Sequence, residues 1–135
     1  MIARVADAGF IIALNSGRAD EEHWARGEIK KWKAPFITCE GALIEAAHFV
    51  GPVIIAEAIQ MGILQIAFDL EQQILPVTAL LKKYRDQPMD FTDACIVRMT
   101  ELFPDCLVFS LDRDFEVYRR FGNKPIPVVY PPWKS

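Results

Sequence analysis

The chain has 135 residues, with 15 lysines and arginines against 18 aspartates and glutamates, a formal net charge of −3. That length suits one domain over residues 1–135 and can bury a real core. Apolar residues at 52% exclude a disordered chain, and the charge excludes a protein that holds nucleic acid by bulk positive charge alone.

No charge-free stretch exceeds 11 residues (46–56 and 58–68), whereas a membrane-spanning helix needs roughly 20. Asp7 comes too early for a secretory signal. A cytoplasmic protein without membrane contact is expected. Cys39, Cys95 and Cys106 are odd in number, far apart and set in apolar stretches, the pattern of reduced core thiols. Two histidines, His23 and His48, are too few for most zinc hydrolase sites.

Residues 2–6 are short, apolar and end on Asp7, the pattern of a buried first strand. Residues 8–15 suit a short helix, broken by Ser16-Gly17. Asp20 suits the cap of a helix to about Trp32, acidic early and basic late. A second strand is expected at 35–37, then a helix capped by Thr38 and running to Val50. Gly51-Pro52 stops it and starts the next, to about Met61. Residues 64–68 read as a third strand. A helix capped by Asp69 is expected to reach Arg85, with Pro76 kinking or interrupting it. Another helix spans about 90–102, a fourth strand 107–110 and a short helix 115–120. Residues 127–130 suit an edge strand, because prolines cannot donate to a ladder. Such alternation predicts an α/β fold, a three-layer α/β/α sandwich around a mainly parallel sheet of about five strands. In such folds ligands bind beyond the carboxyl ends of the strands.

Several chemistries are excluded by pattern. Asp7-Ala8-Gly9-Phe10 lacks the spacing of a phosphate-binding glycine loop. No serine lies in a Gly-x-Ser-x-Gly elbow, and no cysteine has a histidine in a recognisable pattern. Carboxylates remain. Asp7 ends the first strand, Asp112 the fourth, Asp93 lies in a first helical turn and Glu45 two turns into a helix. Glu40 and Glu45 stand about 140° apart around their helix, so only one faces a given pocket. Glu45 sits among alanines and isoleucine and is assigned to the site, Glu40 to the helix start. At about 5 Å and an effective dielectric near 20, each like-charged pair costs about 3 kcal/mol. A hard divalent ion, Mg²⁺ or Mn²⁺, relieves that repulsion through oxygen ligands.

The segments Val5-Ala6-Asp7-Ala8, Thr38 with Glu45, Met89-Asp90-Phe91-Thr92-Asp93-Ala94 and Phe109-Ser110-Leu111-Asp112-Arg113-Asp114-Phe115 resemble the PIN-domain nucleases. That family includes the VapC-like toxins of toxin–antitoxin pairs. The resemblance implies an Mg²⁺- or Mn²⁺-dependent endoribonuclease. Asp7, Glu45, Asp93 and Asp112 would be its catalytic and metal-holding acids, Asp114 a further ligand, and Asp90 and Ser110 auxiliaries. It also implies RNA as substrate, a homodimer and an antitoxin partner. Gly9 departs from the family pattern, which has a hydroxyl or amide residue there; Ser110 stands where threonine is common. Gly9 keeps an alternative open: a PIN-fold module with weak or no activity that binds RNA or protein. An aspartyl-phosphate enzyme is disfavoured, because no Asp-x-Asp follows the first strand.

Basic residues that could guide RNA are Arg26, Lys30, Lys31, Lys33, Lys82, Lys83, Arg85, Arg113, Arg119, Arg120 and Lys124. Phe10, Trp24 and Trp32 could stack bases, although their helical spacing suits a core. The tail from Val128 to Trp133 exposes apolar groups unless something covers it.

Overall fold

The computed structural model describes residues 1–134. The chain runs β1 (Ala3–Ala6), α1 (Ala8–Ala13), α2 (Ala19–Trp32), β2 (Phe36–Thr38), α3 (Glu40–Val50), α4 (Pro52–Gln60), β3 (Leu64–Ile66), α5 (Ile74–Lys83), α6 (Phe91–Leu102), β4 (Cys106–Phe109), β5 (Arg119–Arg120), β6 (Lys124–Pro125) and β7 (Val128–Val129). Two 3-10 turns, Arg113–Glu116 and Pro132–Lys134, complete it. Five strands form a parallel sheet in the order β3-β2-β1-β4-β7. Helices flank it in a three-layer α/β/α sandwich, and β7, flanked by Pro127 and Pro131, is an edge strand.

Alternation along the strands assigns the two faces. Phe36 and Phe109 point toward α1 and α2, where Phe10 lies 5.5 Å from Phe36 and 5.4 Å from both Phe109 and Trp24. Phe10 and Trp24 are therefore core residues, not base-stacking platforms, and Trp32 packs on Phe109 at 6.0 Å. Cys106 and Val108 point the other way. There Arg120 donates to the Thr100 carbonyl of α6 at 2.9 Å and lies 3.7 Å from the Cys106 sulfur. The three cysteines are free and buried. Among the described residues no helix is long and apolar enough to cross a membrane.

Four expected elements differ. The helix placed at 69–85 begins only at Ile74. In a helix from Asp69, Pro76 would interrupt the hydrogen-bond ladder; from Ile74 it falls in the first turn, where no intrahelical donor is needed. Asp69 instead accepts from the Gln72 amide within the preceding turn. The helix at 115–120 is replaced by the Arg113–Glu116 turn and the β5–β6 hairpin, whose loop holds Phe121 and Gly122 at positive φ. Asp20 lies inside the first turn of α2, and Arg18 is the cap. Cys39, not Thr38, precedes α3.

Thr38 has a different task. Its buried hydroxyl donates to the Ala6 carbonyl at 2.6 Å, tying β2 to β1 where the site begins. Thr38→Val therefore lowers the unfolding free energy by about 1 kcal/mol, read in urea denaturation with an unchanged m-value.

From central β1 the chain builds outward through β2 and β3, then returns to β4 on the other side of β1. The β1–β4 junction is thus the topological switch point. A crevice opens there beyond the carboxyl ends of the strands.

Candidate functional site

Asp7 follows β1 directly and caps α1, its Oδ1 accepting from the Phe10 amide at 2.8 Å. Its own amide reaches the Phe109 carbonyl of β4 at 3.3 Å. Ser110, fully buried after β4, donates its hydroxyl to Asp7 Oδ2 and accepts from the Asp112 amide at 2.8 Å. Asp112 in turn caps the 3-10 turn, Oδ1 accepting from the Asp114 amide at 2.8 Å. On the far wall Asp90 and Asp93 form a reciprocal capping box at the start of α6. Asp7, Asp112, Asp90 and Asp93 are thus each held by an element end, while Glu45 projects from the middle of α3.

These ends enclose a cavity of about 360 Å³ lined by Asp7, Glu45, Asp90, Asp93, Asp112 and Asp114. All six acids singled out from the sequence meet there, with no lysine or arginine in the lining. Ser110 lies behind the wall, bonded to Asp7. Glu45 faces the cavity, whereas Glu40 lines a separate apolar groove on α3 and α4. Among the described residues none of these six acids has a salt-bridge partner.

The electrostatics follow from burial without a counter-charge. Burial pushes the Asp93 carboxyl up to about 7, with Asp90, Asp112 and Asp7 adding repulsion. Asp7 is pushed up to about 6, again mainly by burial, despite the lowering effect of Ser110 and the Phe10 amide. Glu45 and Asp114 are raised by burial, then by Asp90 and Asp112 respectively. A lining of this kind gains from a cation that replaces its protons.

The acids nonetheless share a cavity rather than a point. Among the described residues no three His, Cys, Asp or Glu side chains are grouped closely enough to grip a metal ion. The donor chemistry still fits a hard divalent cation: every ionisable group in the lining is a carboxylate. Mg²⁺ commonly takes one or two carboxylates and keeps several waters.

Sequence reading missed two tyrosines. Tyr118 donates to Asp93 Oδ2 at 3.4 Å, and Tyr130 donates to the Asp112 carbonyl at 3.0 Å. Neither carries a local motif; only the hairpin and β7 bring them in. Gly41 was also unremarked. A Cβ there would lie 2.9 Å from the Thr92 hydroxyl, so α3 approaches α6 closely because residue 41 is glycine. At Gly9 a Cβ would lie an ordinary 3.5 Å from Asp7 Oδ1, so the site has room for a side chain it lacks. Of the basic candidates, Arg119 and Arg120 turn their guanidinium groups to backbone carbonyls.

Neither a protein-family model nor a curated protein matches the chain.

Proposed function

We propose that this chain is an Mg²⁺- or Mn²⁺-dependent endoribonuclease of PIN-nuclease type, acting as the toxin of a toxin–antitoxin pair. The observation that carries this reading is the unneutralised ring of six carboxylates at the β1–β4 switch point. Of Asp7, Glu45, Asp93 and Asp112, one or two would hold the ion directly and the others would meet its waters, with Asp114 beside them. When bound, the ion makes a water more acidic and stabilises charge on the phosphate oxygens.

The remaining work falls to the chain. Asp7 is fixed at both oxygens, by the Phe10 amide and the Ser110 hydroxyl, so its position is set before anything binds. Asp93 is suited to accept a proton from the attacking water, its carboxyl lying near neutrality. Ser110 links Asp7 to the Asp112 loop, so these two acids keep their spacing. RNA, rather than another phosphodiester, follows from the resemblance, as do the antitoxin and a homodimer.

The test is cleavage of RNA in Mn²⁺. Asp7→Asn and Asp112→Asn each reduce the rate at least about a hundredfold, and chelation abolishes it. Cleavage that survives both substitutions overturns this site. Gly9 favours a second reading, a binding module, through the unfilled space beside Asp7. RNA binding without cleavage in wild type and variants alike would establish it.

A further inference from the structure

Two of the three buried thiols are in contact. Cys39, the residue before α3, and Cys95, in α6, hydrogen-bond to each other through their side chains. They are 2% and 5% exposed. The seam between these helices is tight: Gly41 of α3 and Thr92 of α6 meet so closely that a Cβ on Gly41 would lie 2.9 Å from the Thr92 hydroxyl. Cys106 is placed differently, on β4 with its sulfur 3.7 Å from Arg120.

Hydrogen-bonded sulfurs need only close to about 2.05 Å to form a disulfide. The hydrogen bond from Cys95 also holds the Cys39 thiol below its usual range, which favours Cys39 as the attacking thiolate. Access selects the oxidant. Thr92 lines the acidic cavity as well as the seam, so the one borders the other. Six carboxylates without a counter-charge repel anions such as glutathione disulfide, and burial excludes anything bulky. A hydroperoxide is small and neutral and passes both barriers.

We infer that Cys39 and Cys95 form a peroxide-sensitive dithiol that closes to a disulfide and clamps α3 to α6 beside the acidic cavity. The Cys39 sulfur attacks one peroxide oxygen and the O–O bond breaks. Cys39 becomes a sulfenic acid, and the departing oxygen takes the thiol proton and leaves as water. The Cys95 sulfur then attacks the Cys39 sulfur, the S–O bond breaks and a second water leaves. The two thiols lose two electrons and the peroxide gains them. Glu45 on α3 and Asp93 on α6 both line the cavity, so the bond joins two of the elements that shape it. This site stands apart from the nuclease reading.

The full chain is treated with hydrogen peroxide while folded, then unfolded in iodoacetamide and weighed intact. Untreated chain takes up one alkyl group on each of its three cysteines. Treated chain takes up a single group, on Cys106, and peptide mapping finds Cys39 joined to Cys95; dithiothreitol reverses this. Chain oxidised in urea gives mixed pairings, so exclusive Cys39–Cys95 pairing reports the fold. Cys106→Ser still bridges, whereas Cys39→Ser and Cys95→Ser do not. The bridged chain melts about 5–15 °C above the reduced one, because the bond closes the long loop through α4, β3 and α5. Three alkylated cysteines after peroxide, pairing through Cys106, or sulfinic acids in place of a bridge overturn the dithiol. A bridged chain that melts no higher overturns the clamp. The wild-type map alone decides the pairing, so a serine variant that fails to fold does not obscure the result.

Discussion

Asp93→Asn is expected to melt at a higher temperature than wild type at pH 8 without metal, while cleaving RNA at least about a hundredfold more slowly. The two effects share one cause. In the folded chain the Asp93 carboxyl is held up at about 7 and Asp7 at about 6, chiefly by burial. Unfolding returns both to about 3.8. Between these values the folded state binds more protons than the unfolded one, so stability falls as pH rises. The fall begins near pH 4, ends a little above 7, and leaves the full cost at pH 8. For buried Asp7 the shift amounts to about 3 kcal/mol. Asp93 is more exposed, and solvent screening reduces its share.

Asparagine removes the charge and keeps the shape. Its oxygen can still accept from the Asp90 amide and from Tyr118, so the α6 cap survives. A gain of 1 kcal/mol corresponds to roughly 3–5 °C for a chain of this size. Melting curves at pH 5 and pH 8 check the sign: the gap is wide at pH 8 and much narrower at pH 5. Mn²⁺ should raise the wild-type midpoint, more at pH 8 than at pH 5, and act weakly on the variant. A variant less stable than wild type by the same margin at both pH values would mean that Asp93 is only a helix cap.

Much of this was legible from the sequence, for reasons that differ by residue. Asp7 and Asp112 could be located because a short apolar run ending in an acid marks a strand end, and parallel strand ends converge. Glu45 could be separated from Glu40 by helix angle alone, and the two do face different cavities. Asp93 was found as a first-turn acid, but its pairing with Asp90 in a capping box was not, since each residue alone satisfies a cap. What stayed hidden depends on distant chain. Arg119 and Arg120 read as helix because two flexible cations carry no strand signal; their hairpin forms where Phe121 and Gly122 turn the chain. Thr38 read as a cap because the cap rule looks forward along the chain, whereas its hydroxyl reaches back 32 residues to Ala6. Tyr118 and Tyr130 reach the acids only through that same long-range packing.

Ser110→Ala tests how the ends of β1 and β4 are held together beside the cavity, and it should cost more stability than its small volume suggests. The Ser110 hydroxyl donates to Asp7 in a buried bond and accepts from the Asp112 amide in a partly buried one. Alanine leaves one carboxylate oxygen and one amide without that partner, a penalty of about 2–3 kcal/mol for a bond to an ionisable group. The functional effect has a defined direction. The Ser110 hydrogen bond lowers the Asp7 carboxyl, so its loss moves that carboxyl further above about 6. Protons then compete with the cation at higher pH. The acid limb of the cleavage profile moves to higher pH, and half-maximal activity needs more Mn²⁺. Ser110→Thr keeps the hydroxyl. It should restore the acid limb even where its extra methyl, in a fully buried position, lowers the melting temperature. If alanine and threonine lose stability and activity in parallel with no change in the pH profile, Ser110 acts through packing alone. The link between Asp7 and the Asp112 loop would then be structural rather than electrostatic.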